Sequence, residues 1–363
     1  MNIFSAAGVH LYERRVPGVR QRTGELMNFF SLNLLQPRLR WLMAWLLLLA
    51  AVPVVAETCK EAEEIDPATR SAIESTAKSF LGMSIGGDVA GLRATSIPSL
   101  AASFGGIEQA VFDNKNGLTG PAVVRKTYLL EVSGTAPVER AEFFCGVFGA
   151  NGNTPNSAGF VLPNLAPGRY AAVIIDIHGP KGPYMLSEIL QQLGGAWKLA
   201  GYYAKPGQVA GHDADWYAQK AREFKQKGQV HNAWFYFLEA RDLVAPVPFM
   251  STLKLDKLYD EAEQVKPGDM PTEGPVTTTM GARTVKLLAA FPIVVDDQVA
   301  LVVRYQSSDI SNTAQTFLDN TTLMKALVVR YPELRDGFSA IVVRAVAPDG
   351  QDYGTLLAMK DIK

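Results

Sequence analysis

The stretch GGAWKLAGYYAKPGQ, residues 194–208, decides how the first half of the chain is interpreted. From Trp197 to Tyr203 every second position is apolar, aromatic or glycine, and the positions between them are mixed. Alternation of this kind is typical of a half-buried β-strand. Pro206 has no N–H to donate to a sheet, so it ends the strand. We therefore predict that Trp197 to Tyr203 lie on the closing strand of a curved sheet, which ends at Pro206.

A helix is predicted upstream of this strand. Asp66-Pro67 is a favourable helix start, because the aspartate can accept hydrogen bonds from free amides and proline loses nothing at the first helical position. Ile73, Ala77, Phe80 and Ser84 follow at helical spacing, and Gly86-Gly87 ends the pattern. Two shorter helical stretches precede residue 105.

From residue 123 onward the chain predicts strands. The runs that are rich in β-branched or aromatic residues and separated by turns are 123–132, 141–148, 159–162 and 170–178. Residues 183–193 carry apolar side chains at both helical and strand periods, so helix and strand both stay open there.

Helices followed by an antiparallel meander that closes on G-x-W-x-[IL]-x-x-[YH] make residues 66–206 resemble the nuclear transport factor 2-like fold. Ketosteroid isomerase and scytalone dehydratase have the same fold. The resemblance implies a curved sheet around its leading helices and a pocket inside the concavity. The residues placed there as candidate ligand contacts are Trp197, Tyr203 and Phe80. Enzymes of this fold use an aspartate or a histidine–aspartate pair, but no catalytic motif of theirs matches this chain.

Asp176 and His178 are the candidate catalytic pair. Two positions apart on a strand, they share a face, and an imidazole beside a carboxylate can act as a general base. The alternative is that both lie solvated at the strand end before Gly179-Pro180, and we favour it because no other acid or base can be placed near them.

Residues 212–265 are helical again. Small and aromatic residues between Tyr217 and Ala240 fall at spacings that resemble one tetratricopeptide unit. A single unit cannot bury its own face, so this hairpin should pack against a neighbouring domain. Trp234 to Phe237 surround the second helix, which predicts burial on two sides. We expect His231 on the surface.

The remaining sequence predicts a linker and a small domain. Residues 266–281 are dense in Pro, Gly and Thr, as extended linkers are. Beyond them the order is strand, strand, helix, strand, strand. The chain is thus α+β, with an extension and signal peptide at 1–56, the first domain at 57–208, the hairpin at 209–266, a linker at 267–283 and the C-terminal domain at 284–363.

The N-terminal segment predicts export. Arg38 and Arg40 precede the apolar run WLMAWLLLLAA, and small residues at Val54 and Ala56 suit signal-peptide cleavage after Ala56. About 35 residues precede the apolar run, so translation starts either at Met1 or at Met27. We expect a periplasmic or secreted protein with no membrane span after processing.

Two cysteines are present, Cys59 and Cys145. In an exported chain they either form a disulfide, because oxidation is permitted there, or remain as a free terminal and a free buried thiol. The sequence leaves both open.

Several activities are unsupported. His212 with Asp213 and Asp215 superficially offers metal ligands, but these residues suit a helix N-terminus better. We predict no metal site and no cofactor, because nucleotide-binding and hydrolase motifs are missing from suitable contexts. Residues 1–56 contain six arginines and two glutamates, so their removal leaves an acidic chain that does not suit nucleic acid.

The functional expectation is a non-catalytic binding or assembly module of the cell envelope, whose partner is an unknown protein or a small apolar ligand. The alternative is a small-molecule isomerase or dehydratase with a pocket in the first domain.

Overall fold

The computed structural model describes residues 57–150, 152–180, 182–281 and 283–363. They form helices and mainly antiparallel sheets, so the predicted α+β class is confirmed. The predicted signal peptide, the predicted cleavage site and the choice between Met1 and Met27 lie outside these residues. Within the described ranges, no helix has the length and apolar character needed to cross a bilayer.

In chain order, the described elements are β1 (Glu57–Glu61), α1 (Pro67–Gly86), α2 (Val89–Ala94), α3 (Pro98–Ala101), α4 (Gly105–Asn114), β2 (Ala122–Val132), β3 (Val138–Gly146), β4 (Ser157–Leu165), β5 (Gly168–Gly179), β6 (Gly182–Leu193), β7 (Ala196–Pro206), α5 (Ala214–Gln226), α6 (Val230–Val244), β8 (Met250–Thr252), α7 (Leu253–Glu263), β9 (Val276–Met280), β10 (Arg283–Val295), β11 (Gln298–Gln306), α8 (Thr313–Arg330), α9 (Leu334–Gly337), β12 (Ala340–Val346) and β13 (Asp352–Ala358).

Helix α1 begins and ends where the sequence predicts. The Asp66 side chain accepts a hydrogen bond from the Thr69 amide at 2.9 Å, and Gly87 closes the helix in the left-handed conformation at φ 69°. The buried face contains the residues that the helical spacing selected, among them Ile73 and Phe80. This face packs on the first sheet, whose strand order is β1-β2-β5-β6-β7 and whose pairs are all antiparallel.

The first sheet settles one open question and corrects one prediction. Residues 182–193 form strand β6, not a helix. In β7 the register shifts by one residue, since Ile189 pairs with Gly201 whereas Leu190 pairs with Leu199. A bulge of this kind moves each following side chain to the face opposite the one that unbroken alternation predicts. The uninterrupted alternation predicted from Trp197 to Tyr203 is therefore wrong beyond Leu199.

A second, three-stranded sheet has the order β3-β4-β8. Strand β8 follows the helical pair in the chain, yet Met250 pairs with Phe160 of β4 and belongs to the core of the first domain. Cys59 on β1 and Cys145 on β3 form a disulfide with 5.0 Å between their Cα atoms. The bridge joins an edge strand of the first sheet to an edge strand of the second.

Helices α5 and α6 pack as a pair, with α7 against α6. The side chains of residues 234–237 are all at most 5% exposed, as predicted for a helix that is covered on two sides. The rings of Phe235 and Tyr236 contact Phe338, which precedes β12, at centroid distances of 5.8 and 6.1 Å. The helical pair therefore shares its core with the C-terminal sheet.

His231 is buried, so its predicted surface position is wrong. Its Nδ1 lies 2.7 Å from Glu333 Oε1 and its Nε2 lies 2.9 Å from Asp269 Oδ1. Burial favours the neutral form of Asp269, but the hydrogen bonds from His231 and Tyr331 outweigh it and lower the pKa of this carboxyl. The imidazole thus fastens α6 to two segments of the C-terminal half.

The C-terminal sheet has the order β13-β12-β11-β10-β9. The predicted strands and helix are present, and α8 is the crossover that makes β11 and β12 parallel. Buried Asn320 on α8 donates to Val343 O and Thr355 Oγ1 at 3.3 and 3.0 Å, which fixes the helix on the sheet. Strand β9 lies within residues 267–283, so the predicted linker is partly an edge strand.

Candidate functional site

Asp176 and His178 lie near the end of β5, and the structure shows no convergent site around them. Asp176 forms an ion pair with Arg125, with 3.2 Å between Nη1 and Oδ1, and about a third of its side chain is exposed. The side chain of His178 is exposed. Neither residue lines the two clefts described below. At this strand end His178 is thus exposed, whereas Asp176 is half-buried and paired with Arg125.

The three candidate ligand contacts do not converge either. Phe80 and Trp197 are 2% and 9% exposed within the core of the first domain. Tyr203 lies on the opposite face of β7 from Tyr202, as neighbours on a strand do, and its ring packs against Phe249 at 6.0 Å. Phe80 and Trp197 belong to the buried core cluster of this domain, and Tyr203 is partly buried against it.

A buried acid in the first domain escaped the sequence analysis. Glu188 on β6 is completely buried and neither of its carboxyl oxygens has a hydrogen-bond partner. It pairs in register with Tyr202 on one side and Val173 on the other, on the face that α1 covers. Burial raises the pKa of Glu188 well above its ordinary value, which favours the protonated form.

Residues 212–215 behave as a helix start. The Asp213 side chain accepts a hydrogen bond from the Trp216 amide at 2.9 Å, and Asp215 pairs with Lys254 at 2.7 Å. No group of three potential His, Cys, Asp or Glu metal ligands occurs in the described ranges.

The best-built candidate site is a cleft between the helical pair and the C-terminal sheet, which we call the aromatic cleft. Its volume is about 260 Å³. Three aromatic rings, two carboxylates and a histidine define its chemistry: Trp216, Tyr236, Phe338, Asp297, Asp336 and His212.

Two tight turns position one side of the aromatic cleft. Val209 and His212 exchange both backbone hydrogen bonds at 2.9 Å across Ala210 and Gly211, which have φ values of 48° and 77°. Asp296 and Asp297 form the two-residue turn between β10 and β11 with φ values of 49° and 58°. Two successive residues with positive φ are the signature of a type I′ turn, whose twist matches that of the flanking strands.

The aromatic side of the cleft is layered. His212 stacks on the indole of Trp216 with ring centroids 3.6 Å apart and planes within 7°. Trp216 and Tyr236 are tilted by 38° at a centroid distance of 6.2 Å, so the two rings form a wedge. Trp216 is 37% exposed, whereas Tyr236 and Phe338 are 5% and 4% exposed. Trp216 is therefore the ring that an incoming group meets.

Backbone carbonyls hold the remaining side chains in place. The Tyr236 hydroxyl donates to Gly337 O at 2.6 Å, and burial raises the pKa of this phenol to about 12. Arg335 donates from Nη1 and Nη2 to Met359 O and Ile362 O at 2.9 and 2.8 Å. Asp336 accepts from Gln229 Nε2 at 2.5 Å. Arg335 is thus hydrogen-bonded to the C-terminal segment. The carboxylates of Asp297 and Asp336 form no ion pair with it.

A smaller cleft of about 180 Å³ lies on the other side of the β10–β11 turn. Glu239 and Asp242 of α6 line it together with apolar residues of β10. Burial, and then the charge of Asp242, raise the pKa of Glu239 to about 7, although Lys205 opposes the shift. Burial lowers the pKa of Lys205, against the attraction of the two acids. The Lys205 ammonium donates to the carbonyl of Asp242.

Comparison with protein-family models, with curated proteins and with solved structures found no match to this chain. The site must therefore be interpreted from its own geometry. Sequence reasoning placed His212 at a helix start, but no spacing rule connects Trp216, Asp297 and Phe338. Only the packing of the helical pair on the sheet brings them together.

Proposed function

We propose that this protein is an exported, non-catalytic binding module of the cell envelope, and that the aromatic cleft is its binding site. The observation that carries the proposal is the form of this cleft. The cleft is open and exposes the indole ring of Trp216. Backbone carbonyls accept hydrogen bonds from its Tyr236 hydroxyl and its Arg335 guanidinium. Aromatic walls with a few fixed polar groups are typical of ligand sites.

The lining chemistry argues for binding over catalysis. Tyr236 and Ser339 donate to backbone carbonyls, Ser339 Oγ to Val299 O at 3.0 Å, so neither hydroxyl is positioned against a base. A nucleophile needs such a base within hydrogen-bond distance.

The disulfide supports the export part of the proposal. Disulfides persist in oxidising compartments and are rare where thiols are kept reduced. The Cys59–Cys145 bridge therefore suits a chain whose residues 57–363 operate outside the cytoplasm. A nuclear transport factor 2-like first domain and a tetratricopeptide-like hairpin remain part of the proposal, as scaffolds for the cleft.

A thermal-shift screen of small molecules on residues 57–363 tests the binding function. Gln298→Trp places a large side chain in the aromatic cleft, and Gln306→Trp at the exposed far end of the same strand is its control. We expect compounds that stabilise the wild type and Gln306→Trp but not Gln298→Trp. A screen in which every stabilising compound acts equally on both variants would refute the cleft as the binding site.

A second candidate function is an isomerase or dehydratase type of enzyme in the first domain. The observation that favours it is Glu188, because a buried carboxyl whose raised pKa favours the protonated form can serve as a general acid. The exposed Asp176 and His178 would not carry such a reaction. Solvent deuterium incorporation into a panel of ketones by the wild type, abolished in Glu188→Gln, would support it. A panel without any incorporation leaves the binding function as the sole proposal.

A further inference from the structure

We infer that the aromatic cleft selects organic cations, namely the alkylammonium or guanidinium group of a ligand with an apolar body. This inference rests on the proposed binding function and adds the chemical class of the ligand. It follows from the charges, the rings and the rigidity of the cleft, taken in turn.

Two carboxylates and one guanidinium line the cleft, so its charged side chains carry an excess of one negative charge. Asp297 and Asp336 are both exposed to it. Asp336 is hydrogen-bonded to the neutral amide of Gln229, which leaves its charge in place. The nearby cation, Arg335, directs two of its nitrogens at carbonyls of residues 359 and 362. Carbonyls are neutral, so Arg335 keeps its positive charge, and the two carboxylates exceed it by one negative charge.

The rings favour a cation that carries carbon. The negative face of an aromatic ring attracts ammonium and guanidinium groups within about 6 Å of its centroid, and Trp is the strongest of the side chains. His212 stacks on one face of Trp216, and the indole remains 37% exposed, so part of this ring is available to a ligand. An inorganic ion would gain little from this wall, whereas a methylated or alkylated ammonium contacts it with its carbon atoms.

The cleft is also preorganised. Asp297 is fixed in a two-residue turn, Trp216 lies in the first turn of α5, and the Tyr236 hydroxyl is bonded to Gly337. Asn232 approaches Gly337 so closely that an added Cβ would lie 2.6 Å from its Oδ1, which leaves this backbone little room to move. Groups held in this way need little reordering when a ligand binds.

Neighbouring aspartates in one turn supply a matched pair of variants. Asp297 lines the cleft, and Asp296 is equally exposed but does not. Asparagine tolerates positive φ, so Asp297→Asn and Asp296→Asn both keep the turn. Each removes one negative charge from the same turn of the chain.

The experiment is an NMR titration of residues 57–363 at low ionic strength with tetramethylammonium, its neutral isostere tert-butanol, and acetate. We expect tetramethylammonium to shift the Trp216 indole signal, with an affinity at least fivefold weaker in Asp297→Asn and less than twofold weaker in Asp296→Asn. Tert-butanol and acetate should bind at least fivefold more weakly than the cation.

Each other outcome overturns the inference in a recognisable way. Equal binding of tert-butanol and the cation would make the cleft a plain apolar site, which refutes cation selection and leaves the binding function intact. Preferred binding of acetate would do the same. Equal losses in the two asparagine variants would show a diffuse charge effect and no site at Asp297.

Two further probes separate the possible sources of the cation. Glycerophosphocholine represents a lipid headgroup, and N-acetyl-lysinamide represents a basic side chain of a protein. Binding of either to wild type, weakened in Asp297→Asn, supports the inference and identifies the source. If tetramethylammonium and both of these probes leave the Trp216 signal unchanged, the inference is wrong. The binding function would survive that result if the thermal-shift screen finds compounds that stabilise the wild type but not Gln298→Trp.

Discussion

The half-buried acid Glu239 predicts an unusual dependence of stability on pH. Its pKa is about 7 in the folded protein against an ordinary value of 4.5. A carboxyl whose pKa is raised in the folded state costs no stability while it is protonated. The folded state loses stability as the group ionises, because ionisation is less favourable there than in the unfolded chain. The loss begins as pH rises through about 4.5 and is complete above about 7.

The magnitude follows from the two pKa values. Proton linkage gives a destabilisation of about 1 kcal/mol at pH 5 and about 3 kcal/mol at pH 8, since each unit of pKa difference contributes about 1.4 kcal/mol. Glu239→Gln removes the titrating group. The variant should therefore gain about 2 kcal/mol relative to the wild type when the pH is changed from 5 to 8, because any fixed effect of the amide cancels in this comparison.

The assay is urea unfolding of residues 57–363 at pH 5, 6, 7 and 8, followed by tryptophan fluorescence with the disulfide intact. Glu223→Gln on α5 is the control. The hydrogen bond from Lys220, and then its charge, lower the pKa of Glu223, so this residue stays ionised at all four pH values and its variant should show no pH-dependent difference. A Glu239→Gln effect that is the same at pH 5 and pH 8 would refute the assigned pKa and its cause.

Three further predictions concern stability. Glu188→Met should stabilise the first domain by about 1–3 kcal/mol at pH 8, because it removes a buried carboxyl without partners; a lower calorimetric Tm for this variant would contradict that. Replacing Cys59 and Cys145 by serine opens a loop with a sequence separation of 86, which should cost about 4 kcal/mol; unchanged urea midpoints would show that the bridge constrains nothing. His231→Asn should cost about 2 kcal/mol through lost hydrogen bonds to two carboxylates, and an NMR titration should find the pKa of Asp269 closer to its ordinary value; an unmoved pKa would remove His231 as its cause.

Local signals in the sequence predicted much of the fold. The cap at Asp66, the glycine at 87 and the spacing of the buried residues located α1, because these features depend only on neighbours in the chain. The C-terminal strands and α8 were found for the same reason. Strand β9 was missed because its threonines resemble a linker until β10 pairs with them.

The register of β7 and the burial of Glu188 were beyond local reasoning. A one-residue bulge reverses which side chains face α1, and nothing in the alternation around Ala200 marks it. Glu188 stands among apolar and polar residues that suit either secondary structure, so its complete burial depends on what β7 and α1 place above it. The aromatic cleft was missed because its members come from four separate segments, whose contacts arise only in the folded chain.

Strand β8 links the completion of the first domain to a later part of the chain. Because Met250 and Val247 belong to that domain's core, its small sheet gains its third strand only after the helical pair has been synthesised. A protein truncated at residue 208 would leave β4 with an unpaired edge, and such edges recruit other chains. The earliest chain length at which the first domain can close is therefore near residue 252, so the edge of β4 stays unpaired in a nascent chain until α5 and α6 have been synthesised.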